Sequence, residues 1–178
     1  MSIDLLILRY KFDRVSNLKS IKNPVMNEFQ SLIIEQTAKT PQIDLNQLTG
    51  DLIFSGRSIP ENAAKIYEPV LSWVQQYILK ARPTTNLRLK LEYFNTASIL
   101  WLAKIFKVLI QINEPDYVLI VHLYLPVDEF DELNDFEDII EAFGPIENIV
   151  QDAKFSIGIK LHGLDDNDEI IKERLVFI

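Results

Sequence analysis

With 178 residues, 48% of them hydrophobic and 25% charged, the chain is long enough for one domain with a buried core and too short for two comfortable ones. The absence of cysteine excludes disulfides and thiolate metal sites. A formal net charge of −8 argues against nucleic acid, whose phosphates an acidic surface repels, although an acidic face can still recruit a basic partner.

No stretch reaches the ~18 consecutive apolar residues that a membrane span needs. The opening MSIDLLILRYKFDRV has a short apolar run, but Asp4 precedes it and no small-residue cleavage site follows. A cytoplasmic protein with no membrane contact is expected. Residues 1–30 read as an N-terminal extension of uncertain status, in which Ile3 to Tyr10 could be a strand and Ser16 to Asn27 is polar and irregular.

From Ser31 the pattern sharpens. Ile43–Leu45 and Leu52–Phe54 are apolar segments separated by a polar turn with Gly50-Asp51, which predicts a β-hairpin with a loop longer than two residues. Ser58 followed by Glu61 reads as a capping box, and Pro60 is tolerated in a first helical turn. The helix it opens is expected from about Glu61 to Leu79, burying Ile66, Val70, Trp73, Val74 and Tyr77, with Pro69 bending it or delaying its start.

Leu87 to Phe94 alternates and ends in aromatics, as a buried strand does. From Ala97 to Ile112 the residues Ile99, Leu102, Ala103, Phe106, Leu109 and Ile110 recur at helical spacing. Asn95 or Thr96 can cap that helix by accepting from free backbone N–H groups. A hydroxyl there faces the positive end of the helix dipole, a favourable place for a phosphate, although capping is the ordinary use of such residues. Lys104, Lys107 and Gln111 form a narrow polar stripe, with Trp101 near its edge. Trp101 there serves equally well as an interface anchor or a core residue.

After a turn at Asn113–Asp116, Tyr117 to Tyr124 is a nearly continuous apolar run, predicting a strand parallel to the preceding one across a helical crossover. His122 within it reads as a satisfied core residue rather than a ligand or base. Asp128 to Glu141 carries eight acidic residues and no Lys or Arg, yet Phe130, Leu133, Phe136, Ile139 and Ile140 keep helical spacing. An amphipathic acidic helix with a solvated outer face is expected, stopped by Gly144-Pro145. The end of the chain reads as two strands joined by a charged loop at Asp165–Glu169, without the spacing of a calcium loop. No nucleophile elbow, phosphate-binding loop, dinucleotide fingerprint or metal-binding histidine pair is present, so the sequence offers little support for catalysis, a cofactor or a metal.

Three segments occur in one order: G-R-S-I-P-E-N at Gly56–Asn62, Y-E-P-V-L-S-W-V at Tyr67–Val74 and L-E-Y-F-N-T-A-S at Leu91–Ser98. Together they resemble the SiaC family of small bacterial regulatory phosphoproteins, across roughly Ile34 to Tyr124. The remainder, 125–178, is an elaboration of a domain that spans 31–178. The resemblance implies an α/β fold, a mixed sheet with flanking helices similar to STAS-type anti-sigma antagonists, here with extra C-terminal strands. It also implies a non-catalytic switch. Thr96 is then the phosphoacceptor of a serine/threonine protein kinase, and a metal-dependent protein phosphatase removes the phosphate. The unphosphorylated form binds and activates a diguanylate cyclase. The alternative is a STAS-like binding module acting on another target such as an anti-sigma factor. Asn95 and Ser98 are the motif neighbours of Thr96, and with Trp101 and Lys104 they make up the expected partner-binding set.

Overall fold

The computed structural model describes residues 30–133 and 153–178. Seven strands form one sheet in which spatial order equals sequence order. They are β1 (Leu32–Ile34), β2 (Gln42–Asn46), β3 (Asp51–Ser58), β4 (Thr84–Phe94), β5 (Val118–Pro126), β6 (Ser156–Leu164) and β7 (Ile170–Phe177). β3 to β6 run parallel, while β1, β2 and β7 extend the sheet antiparallel. The helices are α1 (Ala63–Tyr77), continued by a turn of 3₁₀ helix at Ile78–Lys80, α2 (Thr96–Leu109) and α3 (Val127–Glu132). The fold is therefore the expected α/β domain with a mixed sheet and extra C-terminal strands.

One face of the sheet carries the core. Leu45, Leu52, Phe54, Leu87, Leu119 and Ile157 meet Tyr67, Val70 and Val74 of α1 and Ile105, Phe106 and Leu109 of α2 in a single apolar cluster. Each such side chain contributes about 1.5–3 kcal/mol on full burial. A smaller cluster of Phe130, Ile159 and Leu161 lies under α3. The expected acidic helix is seen only as α3; the rest of it, and the expected N-terminal extension up to residue 29, lie outside the described residues.

Because strand side chains alternate, the opposite face takes the polar set. His122 on β5 is buried, with Nε2 3.0 Å from Asn86 Oδ1 and Nδ1 2.9 Å from His162 Nε2, the two rings stacked at 5.2 Å. Arg88 Nη1 lies 3.2 Å from the same Nδ1 and its Nε donates to Asp51. His162 Nδ1 is 2.8 Å from Glu173 Oε1 but out of line for a hydrogen bond. Burial first, then the charges of Arg88 and its neighbours, push His122 down to about 4, so it is a neutral core histidine at ordinary pH.

The β2–β3 hairpin forms as expected, and its turn needs Gly50. The residue has φ +78°, and a Cβ there would stand 2.5 Å from the Thr84 carbonyl oxygen. Three expectations change. The capping box does not form: Ser58 is the last residue of β3 and wholly buried, Glu61 pairs with Lys39, and Asn62 caps α1 by accepting from Lys65 N–H. Pro69 does not interrupt α1, since it stands on the exposed side, where water can reach the carbonyl it leaves unpaired. β4 starts earlier and its end is not buried. β5 pairs with it only as far as Leu89, so Leu91 to Phe94 hold on to β3 alone and project past the rest of the sheet.

Candidate phosphorylation and docking site

The projecting end of β4 leads directly into α2, and the junction is fixed from below. Asn95, in extended conformation, is the N-cap: its Oδ1 accepts from Ser98 N–H at 2.9 Å, leaving Thr96 as the first helical residue. Asn95 N–H donates to the Ser58 carbonyl at 3.0 Å, tying the start of α2 to the end of β3. Beneath it runs a buried chain of hydroxyls. Tyr67 Oη lies 2.7 Å from Ser58 Oγ, Ser58 donates to Ser98 Oγ at 2.7 Å, and Ser98 has the Ser58 carbonyl and Asn95 Oδ1 as acceptors, each at 2.9 Å. Burial pushes the Tyr67 phenol above its ordinary value, against the opposing pull of the two serines, so it stays protonated and able to donate. One network thus joins residues from all three sequence segments that carry the family resemblance.

Above this floor Thr96 is exposed. The residues that flank it in the chain include exposed apolar side chains: Tyr93 is 62% exposed, Phe94 45%, Ile99 47% and Leu100 60%. Scattered exposed apolar residues are ordinary, but four at one strand–helix junction, Ile99 and Leu100 beside Thr96 on α2 and Tyr93 and Phe94 on the two faces of the projecting strand, leave apolar surface of the kind that proteins bury on binding. Trp101, half-buried, stacks on Tyr67 at 6.3 Å, and Tyr67 in turn stacks on Phe54. Lys104 Nζ sits 4.2 Å above the Trp101 ring, so the indole is held between a core phenol and a surface cation.

Four of the five site residues read from the sequence therefore have surface to offer: Asn95, Thr96, Trp101 and Lys104. Ser98 does not. It has no exposed surface and cannot touch a docked partner; its hydroxyl positions the junction instead. The sequence reading missed Ser58 and Tyr67 as parts of the site, because Ser58 reaches Ser98 across forty residues and Tyr67 joins through Ser58. It also missed Tyr93 and Phe94. A signal was present: adjacent strand residues point to opposite faces, so on a sheet covered from one side they cannot both be core. Among the described residues no group of three histidines or carboxylates is placed to hold a metal ion, and no helix is long and apolar enough to cross a membrane.

Comparison with known proteins bears on the family and the fold. An uncharacterized protein of Pseudomonas aeruginosa is 35% identical over 68 residues, 38% of this chain; the match spans about half, 54%, of that relative's length. The structure of apo-SiaC from P. aeruginosa superposes with a TM-score of 0.51 at 26% identity, covering 72% of this chain and 97% of that one. A second, in which SiaC is bound to the diguanylate cyclase SiaD that it activates, gives 0.55 at 24% identity, covering 74% and 99%. The family model described as SiaC family regulatory phosphoprotein matches residues 34–151. The chain belongs to the SiaC family of regulatory phosphoproteins.

Proposed function

We propose that this protein is a non-catalytic partner switch in which the unphosphorylated form binds and activates a diguanylate cyclase, and phosphorylation of Thr96 ends that binding. A serine/threonine kinase adds the phosphate and a metal-dependent phosphatase removes it. One observation carries the reading: Thr96 is exposed at the start of α2, at a junction where Tyr93, Phe94, Ile99 and Leu100 are exposed too. SiaC of P. aeruginosa, a structural relative, activates the cyclase SiaD.

The physics is asymmetric. A phosphate brings about −1.5 to −2 charges and three acceptor oxygens. In the free protein it meets solvent and the positive end of α2, which favours it by about 0.3–1 kcal/mol. In a complex that covers the patch, the same charge is buried against apolar surface with no counter-ion, at a cost of several kcal/mol. Every ~1.4 kcal/mol is tenfold in affinity. The fold survives the modification and the complex does not.

The test combines phosphosite mapping of the protein from its native cells with cyclase assays. A single phosphate on Thr96, cyclase activation by wild type and Thr96→Ala, and none by Thr96→Glu are expected. Activation by Thr96→Glu equal to wild type would sink the switch.

A further inference from the structure

We infer that the docking surface continues past the apolar patch along the whole outer face of α2, and that it takes a partner segment carrying acidic side chains into a basic cleft at the far end of the helix. The inference rests on the switch proposed above and adds the chemistry of the partner.

The outer face of α2 changes character along its length. Ile99 and Leu100 are exposed near Thr96; Lys104, Lys107 and Gln111 follow on the exposed side, and α2 contains no acidic residue. Beyond it opens a cleft of about 360 Å³ lined by Lys107, Ile110, Gln111, Ile112, Asn113 and Lys154. Lys154 Nζ donates to Asn113 Oδ1, which brings the second ammonium to the wall opposite the helix. Lys107 lies about 16 Å from Thr96 along the axis, at a rise of about 1.5 Å per residue.

These lysines carry their charge without a carboxylate among the described residues, on a helix with no acid of its own. The chain carries a net charge of −8, and Lys39, Arg57, Arg88, Lys90, Lys160 and Lys172 each lie within ion-pair distance of a carboxylate. Among the described residues no carboxylate lies within ion-pair reach of Lys104, Lys107 or Lys154. Glu114 and Asp116, in the turn after α2, are exposed but do not pair with them. Three cations with no carboxylate partner among the described residues form a complementary target for an anionic segment. Ile110 and Ile112, both buried, floor the cleft and leave the two lysines as its charged walls. The occupant that fits patch and cleft together is one element of the cyclase, apolar where it covers Thr96 and acidic some three helical turns further on.

The separation sets how the two ends work. About 16 Å is two Debye lengths at physiological ionic strength, so a phosphate on Thr96 acts through its own burial and not through the lysines. The apolar end carries the switch and the basic end carries on-rate and orientation.

The experiment uses the full-length chain against each purified diguanylate cyclase of the same organism, with affinity measured from low to high salt. Three variants are compared with wild type: Lys107→Glu/Lys154→Glu, Lys107→Gln/Lys154→Gln and Thr96→Glu. Both lysines are exposed, and thermal melts check that the fold is kept. The charge-reversed pair should bind about tenfold more weakly at low salt and lose most of its salt dependence, with the glutamine pair between it and wild type. Wild-type affinity and salt dependence in both lysine variants, with binding still lost in Thr96→Glu, overturns the basic cleft and leaves the switch standing. If the wild type binds no cyclase, the switch falls and the cleft's assigned partner falls with it.

Discussion

Removing the Ser58 hydroxyl tests the floor of the site. Tyr67 is wholly buried, and its O–H has Ser58 Oγ, 2.7 Å away, as its acceptor. Ser58→Ala takes away the phenol's 2.7 Å acceptor and leaves it only the weaker reach to Ser98, and an unsatisfied buried group costs ~1–3 kcal/mol. Ser98 loses only an incoming donor, since the Ser58 carbonyl and Asn95 Oδ1 still receive its proton. For a domain of this size, a destabilisation of about 2 kcal/mol lowers Tm by about 4–8 °C. Tyr67→Phe removes the donor instead and leaves Ser58 with its bond to Ser98 intact, so its cost is smaller. Combining the two removes the orphan, and the double variant should be more stable than Ser58→Ala alone. The cycle is measured by chemical denaturation, with the coupling read as the departure from additivity. Strictly additive effects would refute the claim that the hydroxyl chain is one connected network.

Two further predictions concern the frame around the site. His122 titrates at about 4 in the fold against 6.5 when free, so the unfolded chain binds the extra proton first as pH falls. Its contribution is therefore complete above 6.5 and lost between 6.5 and about 4, up to about 3 kcal/mol, and His122→Gln should flatten unfolding free energy against pH in that window. An unchanged slope in the variant would show that other groups set the acid limit. Gly50→Ala forces a Cβ toward the Thr84 carbonyl at positive φ, and should cost roughly 2–4 kcal/mol by denaturant titration; a loss below about 1 kcal/mol would mean that the hairpin turn re-forms.

Much of this fold was legible because its signals are local. The alternation of Ile43–Leu45 and Leu52–Phe54 around a glycine turn, and the strand–helix–strand spacing through β4, α2 and β5, follow from side-chain periodicity and chain reach alone. His122 was read correctly as a core residue, but its partners Asn86 and His162 come from neighbouring strands that only the sheet brings together. Ser58 shows where local reading stops. Serine three residues before glutamate looks the same at a helix start and at a strand end, and what decides is whether Lys39 and Ser98 reach those side chains in three dimensions. The strand-to-helix changeover expected at Asn95–Ser98 is where α2 starts, with Thr96 as its first residue. The uncovered state of Tyr93 and Phe94 depends on β5 leaving β4 at Leu89, a matter of register that composition does not encode.

The identity of spatial and sequential strand order has a consequence for how the protein is made. Among the described strands each pairs with the one that precedes it in the chain, so no pairing requires a strand not yet synthesised. The elements that build the junction, β3, α1, β4 and α2, all precede β5 in the chain. The hydrogen bonds that fix the junction, from Ser58, Tyr67, Asn95 and Ser98, are therefore complete within residues 58–98 and draw on none of the C-terminal strands.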